Sequence, residues 1–340
     1  MKNNTSKFLQ MLNDYFVKHI PIAIGASENT IKSYKYAFQL LMKYMYCKHN
    51  IAADEIAFSH LDYETLQGFL DWLESERGCC PSTKNQRLSA LMAFSKYAQN
   101  RDFEAASTFR NNIIKIPQKR TRNKERAVLS VEEVKYLLQL PNDKSEIGLR
   151  DKVLLSTMYA TGARAQEVCN LTVRDIQFND RGAHVCLYGK GGKSRRVSIP
   201  DNCSELLKGY LSYRNKRKAL VSHIFSSQTN EHMSVSCVGE IFKKYIRLAK
   251  ENQSDMFLES NYSPHSMRHS TASHMLEAGV PLVVIKNFLG HSSLQSTQIY
   301  AKLSSSTVDK HLRMWNEKWF AHETLIPAQE EFAIPRFLNT

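Results

Sequence analysis

The chain has 340 residues, of which 42% are hydrophobic and 23% charged, and it carries a formal net charge of +13. That length allows two domains with a core each, and the composition excludes a disordered chain. No stretch approaches the roughly 18 consecutive apolar residues of a membrane span. No apolar run follows Met1 to Lys7 to make a secretory signal, and the basic surplus points to a polyanionic partner, nucleic acid before anionic membrane.

The N-terminal third reads as helical. Phe8, Leu12, Tyr15 and Phe16 fall at helical spacing between residues 7 and 18. Ser27 is placed to cap a second helix, with Ile31, Tyr34, Phe38, Leu41 and Met45 repeating at three and four. A third holds Leu66, Phe69, Leu70 and Leu73 and ends near Gly78; Pro81 opens a fourth that lines up Leu88, Leu91, Phe94 and Tyr97. These stripes predict a small helical bundle over residues 1–112.

Residues 113–126 are expected to be a linker. Pro117 disfavours continued helix, and Lys115, Lys119, Arg120, Arg122, Lys124 and Arg126 face a single acid, Glu125. Such a stretch is either a plain exposed connector or a positive strap lying across phosphates. Lys119, Arg120, Arg122, Lys124 and Arg126 are the DNA-binding candidates in it. Ser130-Val131-Glu132-Glu133 has the form of a capping box and begins a second domain, 127–320.

That domain reads as mixed. A helix is predicted over 149–159, running into Thr161-Gly162-Ala163-Arg164. Residues 184–188 and 195–199 alternate as strands around the loop 189–193. Further helices are expected over 204–218, 235–252, 264–278, 281–289, 293–302 and 304–320, the last with Trp315 and Trp319. Gly279 and Gly290 stand where helix C-termini favour a left-handed residue. Residues 321–340 form an apolar, irregular tail with no role read from it. The seven cysteines (Cys47, Cys79, Cys80, Cys169, Cys186, Cys203 and Cys237) are odd in number and contain no C-x-x-C pair. They read as reduced cytosolic thiols, mostly buried, and no metal site is expected.

The chemistry lies in one chain order: Arg164, Lys190 in Tyr188-Gly189-Lys190-Gly191, His265 with Arg268, His291 in Leu289-Gly290-His291, and Tyr300. A phosphodiester repels nucleophiles with its own charge. Arginine neutralises its non-bridging oxygens well, because the planar fork is always charged and can bind two oxygens at once. A lysine at a hairpin tip can reach the leaving oxygen, and by sequence alone Lys193 could serve as well as Lys190. His265 and Arg268 fall one turn apart on one helix face. A tyrosine among such cations is a nucleophile that could attack the phosphorus. His269 and His274 read as packing or surface.

This order resembles the tyrosine recombinases, or phage integrase family, most closely their compact Xer-like members. The phrases Thr30-Ile31-Lys32-Ser33-Tyr34 and Thr83-Lys84-Asn85-Gln86-Arg87-Leu88 likewise resemble the family's core-binding domain. The resemblance implies a mostly α fold with a small β-sheet, in which a helical, SAM-like core-binding domain precedes a mixed α/β catalytic domain. It implies that Arg164 and Arg268 clamp the scissile phosphate and that Lys190 protonates the departing 5′-hydroxyl. His265 would contact the phosphate and take the tyrosine's proton, His291 would bond a non-bridging oxygen, and Tyr300 would attack to give a 3′-phosphotyrosyl enzyme. Glu167 would orient an arginine or histidine from behind, or would be a plain surface glutamate. No cofactor is implied. The implied partners are double-stranded DNA with inverted-repeat sites, three further copies of the chain joined by exchange of the C-terminal helix, and an accessory recombinase or DNA-bending protein. The implied location is the cytoplasm, at the nucleoid. The alternatives are a type IB-like topoisomerase and a catalytically silent DNA-binding regulator.

Overall fold

The computed structural model describes residues 6–121, 127–189, 192–214, 222–291, 293–295 and 297. The chain divides into two compact units, Met1–Lys124 and Glu125–Thr340.

The first unit is helical. Helix α1 (Lys7–Asp14) is capped by Ser6 and runs into a wider π-helical segment, Tyr15–Ala23, where a plain α-helix to residue 18 is expected from the sequence. Pro21 lies inside that segment and has no amide hydrogen to offer an α-helical ladder. Helix α2 (Glu28–His49) begins at Ser27, whose Oγ accepts from the Thr30 amide at 3.3 Å, as its sequence predicts. Helices α3 (Tyr63–Ser75) and α4 (Pro81–Arg101) follow. Helix α5 (Phe103–Lys115) is not foreseen from the sequence, and it runs three residues into the expected linker. Asp102 caps it, accepting from the Ala105 amide at 3.0 Å, and Ala106, Phe109 and Ile113 bury one face. That stripe is only three residues long, too short to stand out beside its neighbours.

Phe94 is the hub of this core. Its ring lies 5.6 Å from Phe8, 5.3 Å from Tyr15 and 5.2 Å from Phe38, each at a steep interplanar angle. Edge-to-face pairs of this kind add to the burial of large apolar area.

The second unit packs helices on a small sheet. Helices α6 (Val131–Gln139), α7 (Glu146–Thr161) and α8 (Ala165–Cys169) lead into an antiparallel meander of β1 (Ile176–Asn179), β2 (Gly182–Tyr188) and β3 (Ser194–Ile199). Val185 pairs with Ile176 on one side and Val197 on the other. The β2–β3 hairpin matches the sequence reading. The short β1 does not announce itself, since Ile176-Gln177-Phe178-Asn179 alternates only once. Helices α9 (Asp201–Tyr213), α10 (Val235–Asn252), α11 (Pro264–Glu277) and α12 (Leu282–Leu289) complete the unit. The capping box of α6 is present: the Ser130 amide donates to Glu133 at 2.8 Å, and the Glu133 amide to Ser130 Oγ at 3.1 Å.

Helix α7 is the spine. Val153, Leu154, Leu155 and Met158 are all buried, so apolar side chains leave it in several directions, as a central helix requires. At its start Asp151 accepts from Arg150 Nε and Nη2 at 3.0 and 2.7 Å, and from Tyr245 Oη on α10 at 3.0 Å. Burial first, and then the Asp151 charge, push the Tyr245 phenol well above its usual range.

Helix α11 lies along α7 by a polar seam instead of an oily one. Ser266, Arg268, Ser270, Thr271 and Ser273 are buried. Thr271 Oγ1 donates to the Tyr159 carbonyl at 2.8 Å, and His274 Nδ1 shares a 2.8 Å hydrogen bond with Tyr159 Oη. His274 is therefore a packing residue, as its sequence position suggests. Ser270 Oγ accepts from the Leu129 amide at 2.7 Å and fixes the entry of the unit.

Of the cysteines only Cys169 is buried, while Cys47 and Cys80 are exposed, which corrects the expectation of mostly buried thiols. Cys80 is exposed because it caps α4 from outside the helix. Burial pushes Cys169 and Cys203 up to about 11. Among the described residues no helix is long and apolar enough to cross a membrane.

Replacing Phe94 by alanine is expected to cost about 3–5 kcal/mol, the usual cost of emptying a phenyl site in a packed core. Urea unfolding of the full chain should show an N-terminal transition moved to lower denaturant, with the transition of the second unit unchanged. Equal midpoints for wild type and variant would mean that Phe94 is not the hub.

Candidate active site

The site is built where α7, α8, β3, α11 and α12 end or begin. Helix α7 stops at Gly162, a left-handed cap with φ +56°. A Cβ there would stand 2.8 Å from Leu289 Cδ2 and 3.1 Å from Phe288 Cε1, so the cap must be glycine for α12 to approach. Helix α12 stops at Gly290, also left-handed at φ +68°.

Arg268 joins these two ends. Its guanidinium is buried, at 3% exposure. Nη1 donates to the Gly162 carbonyl at 2.6 Å and Nη2 to the Leu289 carbonyl at 2.7 Å. Carbonyls at helix C-termini lack helical partners and carry the negative end of the dipole, so a cation is the natural group to place there.

Arg164 is two residues beyond Gly162 and caps α8. Glu167, one turn on, turns back to it: Oε2 accepts from the Arg164 amide at 2.8 Å and Oε1 from Arg164 Nη1 at 2.7 Å. The Arg164 side chain keeps a third of its surface exposed, whereas Glu167 is buried at 3%. Glu167 is thus no surface residue. Burial by itself would raise its carboxyl pKa. The hydrogen bonds from Arg195 and the Arg164 amide, with the charge of Arg195, outweigh burial and bring it to about 2, against 4.5 ordinarily.

Arg195 is a residue the sequence reading passes over. Nη1 and Nη2 donate to Glu167 Oε1 and Oε2 at 2.9 and 2.8 Å, and Nε donates to the Phe288 carbonyl at 2.8 Å. A signal was there in the strand register. Positions 195, 197 and 199 share the inward face of β3, and a charge beside Val197 and Ile199 on that face asks for a buried partner.

His291 follows Gly290. Its amide donates to the Lys286 carbonyl at 3.0 Å, and its Nδ1 shares a 2.9 Å hydrogen bond with Thr297 Oγ1. Arg164, Glu167, Arg268 and His291 therefore share one tightly connected region. His265 is on α11 one turn before Arg268, exposed in the first turn, with its ring 6.4 Å from that of His269. The end of β2 passes over the Arg164–Glu167 pair: a Cβ on Gly189 would stand 3.2 Å from Glu167 Oε1 and 3.9 Å from Arg164 Nη1. Lys190, the residue after Gly189, lies outside the described residues, as do Tyr300 and the C-terminal segments 304–320 and 321–340.

In the expected strap, Lys119 is held to its own unit. Its amide donates to Asn85 Oδ1 at 3.0 Å, its carbonyl accepts from Asn85 Nδ2 at 2.8 Å, and Nζ pairs with Glu74 at 2.6 Å. Arg120 is exposed, and Arg122, Lys124 and Arg126 lie outside the described residues. Among the described residues no group of three or more His, Cys, Asp or Glu side chains is arranged to hold a metal.

Residues 127–307 match the phage integrase family, and residues 11–115 match the phage integrase SAM-like domain. The tyrosine recombinase XerA of Pyrococcus furiosus is 33% identical over 303 residues, which cover 89% of this chain and 92% of that one. The tyrosine recombinase XerD of Vibrio cholerae is 29% identical, over 87% of this chain and 93% of its own. Among solved structures, the XerH site-specific recombinase in its post-cleavage complex with a palindromic difH substrate is similar in fold. It has a TM-score of 0.67 at 21% identity and covers 93% of this chain and 92% of its own.

The low pKa of Glu167 has a stability signature. Its ionised form is favoured by folding, so its contribution is complete above about pH 4.5 and is lost as the pH falls through about 2. The difference in unfolding free energy between wild type and Glu167→Gln should be flat above that window and shrink within it. Denaturant titrations at a series of pH values would check this; a difference that stays constant into acid would show that Glu167 is not held ionised.

Proposed function

The chain belongs to the phage integrase family of tyrosine recombinases, and on that premise we propose how its residues perform site-specific recombination on DNA. The observation that carries the proposal is the double grip of Arg268 on the Gly162 and Leu289 carbonyls, which holds the segments bearing Arg164 and His291 together.

Arg164 and Arg268 bind the non-bridging oxygens of the scissile phosphate, and His291 donates a further hydrogen bond to it. The Tyr300 hydroxyl loses its proton to His265 and attacks phosphorus. The bond to the 5′ oxygen breaks, and Lys190 gives that oxygen a proton. The products are a 3′-phosphotyrosyl enzyme and a free 5′-hydroxyl. The phosphotyrosyl ester keeps the bond energy, so a 5′-hydroxyl from a second duplex can rejoin by the reverse steps without a nucleotide cofactor. Stabilising charge where the transition state develops it is the main lever of such a site.

Both units bind the duplex, and the side chains Arg120, Arg122, Lys124 and Arg126 of the basic segment supply phosphate contacts. Lys119 acts as the anchor of that segment through Asn85 and Glu74. Four protomers hold two inverted-repeat sites, exchange C-terminal helices, and pass strands in pairs through a Holliday junction. An accessory recombinase or DNA-bending protein joins this assembly at the nucleoid. The XerH recombinase bound to a palindromic difH substrate, and the Tn1549 transposon integrase in complex with transposon right end DNA, support the DNA part of this reading.

Two outcomes are expected. Wild-type protein mixed with fragmented genomic DNA and denatured in detergent should retain DNA clustered at one short inverted-repeat motif, and Tyr300→Phe should bind the same DNA but retain none. Scattered adducts would instead indicate a topoisomerase, and none above the Phe control, with binding intact, a silent binder. On the recovered motif, Arg164→Ala should keep binding largely intact while cleavage falls roughly 10²–10³-fold, as for loss of one oxyanion donor. Cleavage at the wild-type rate would remove Arg164 from the site.

A further inference from the structure

We propose that Arg195 is a positioning residue for the cleavage step, fixing the Arg164 guanidinium through Glu167 and the His291 turn through the Phe288 carbonyl. This rests on the reading of Arg164 as a phosphate ligand.

Three observations converge. The first is the division of labour on Glu167. Each of its carboxylate oxygens accepts one Arg195 nitrogen, and Oε1 also accepts Arg164 Nη1 at 2.7 Å. Arg195 thereby holds the carboxylate in one plane, and Arg164 takes its place against a fixed edge. The second is burial. The Arg195 side chain is 10% exposed, against 33% for Arg164. Arg195 is enclosed by its partners, while Arg164 keeps surface for a ligand. The third is the fit of the turn above it. Phe288 offers its carbonyl to Arg195 Nε, and a Cβ on Gly290 would stand 3.0 Å from Arg195 Cδ and 3.3 Å from Nη1. The left-handed glycine lets the turn lie flat on the guanidinium, and His291 is the next residue.

Arg195 also starts from the right place. It stands on β3, across from Leu187 on β2, and the loop between these strands carries Lys190. One side chain therefore links the strand pair, the carboxylate behind Arg164 and the turn before His291. A lysine could satisfy one of these contacts, because its ammonium is a single point, whereas the guanidinium fork serves all three at once. Displacement of a reacting group by about 1 Å can cost roughly a hundredfold in rate.

The test uses the full chain with Arg195→Gln, Arg195→Lys, Glu167→Gln and the Arg195→Gln/Glu167→Gln pair. The first readout needs no reaction. In protein labelled with ¹⁵N-arginine, the Arg164 side-chain Nε–Hε signal, assigned by its loss in Arg164→Ala, should shift or broaden in Arg195→Gln as it does in Glu167→Gln. An unmoved Arg164 signal in a variant that still melts cooperatively overturns the positioning role, whatever the enzyme does. The second readout is the single-turnover rate of covalent adduct formation at saturating DNA carrying the recovered motif. Arg195→Gln should lose roughly a hundredfold in this rate. The DNA concentration for half-saturation should stay within about threefold of wild type, since non-specific phosphate contacts supply most of the affinity. Arg195→Lys should recover only part of the loss. The double variant should lose no more than the worse single one, because both act through one contact. Full recovery by lysine, or losses that multiply in the double variant, overturns the proposal. If wild type gives no adduct above Tyr300→Phe, the reaction assigned to the site fails, and the Arg164 signal still decides whether Arg195 positions it.

Discussion

A single buried guanidinium shared by two helix ends underlies the catalytic unit. Helices α7 and α12 both finish with a left-handed glycine, and each leaves a carbonyl without a helical partner near the other. Two negative dipole ends in one dry place would repel. Arg268 converts that repulsion into a joint, because one fork reaches both carbonyls and supplies the charge they lack. Removing it would leave two buried acceptors unsatisfied, the costly side of hydrogen-bond energetics.

Around this joint the charges are arranged with one carboxylate for two guanidiniums. Glu167 is bonded by both Arg164 and Arg195, and its own ionisation is kept by them down to about pH 2. Two guanidiniums against one carboxylate already leave the cluster positive, and Arg268 adds to the surplus. Holding like charges together in a folded protein is unfavourable until an anion arrives. A bound anion relieves that repulsion.

Much of the fold was legible because its signals are periodic. The stripes of α2, α3 and α4 and the alternation of β2 and β3 each repeat often enough to be read, and the caps Ser27 and Ser130 follow from their side-chain chemistry. What escaped lacks repetition. The α5 stripe has three members, β1 alternates once, and the π-helical stretch is marked only by Pro21. In the site, Arg164, Arg268 and His291 were singled out only through a resemblance to a family, since an arginine alone says nothing of phosphate; the structure places all three in one connected region. Glu167 was legible as a partner of Arg164 but not as a buried one. Arg195 was overlooked because Ser194-Arg195-Arg196 resembles a solvated edge, although its alternation with Val197 and Ile199 puts it on the inward face. The seam of serines and threonines on α11 escaped for the opposite reason: polar Ser266, Ser270, Thr271 and Ser273 are buried alongside Met267 and Ala272, so no continuous apolar stripe marks the inward face.

The polar seam and the arginine joint have a kinetic side. The bond from Arg268 to Gly162 closes 106 residues of chain, that from Arg195 to Phe288 closes 93, and that from Leu129 to Ser270 closes 141. Contacts of such separation carry a large loop-closure cost and are expected to form after the local helices and the β2–β3 hairpin. A growing chain leaving the ribosome carries Arg164 long before it carries Arg268 or Leu289. Until those residues emerge, Arg164 and Glu167 lack the frame that the folded unit gives them, and the joint between α7 and α12 closes only once synthesis has passed Leu289.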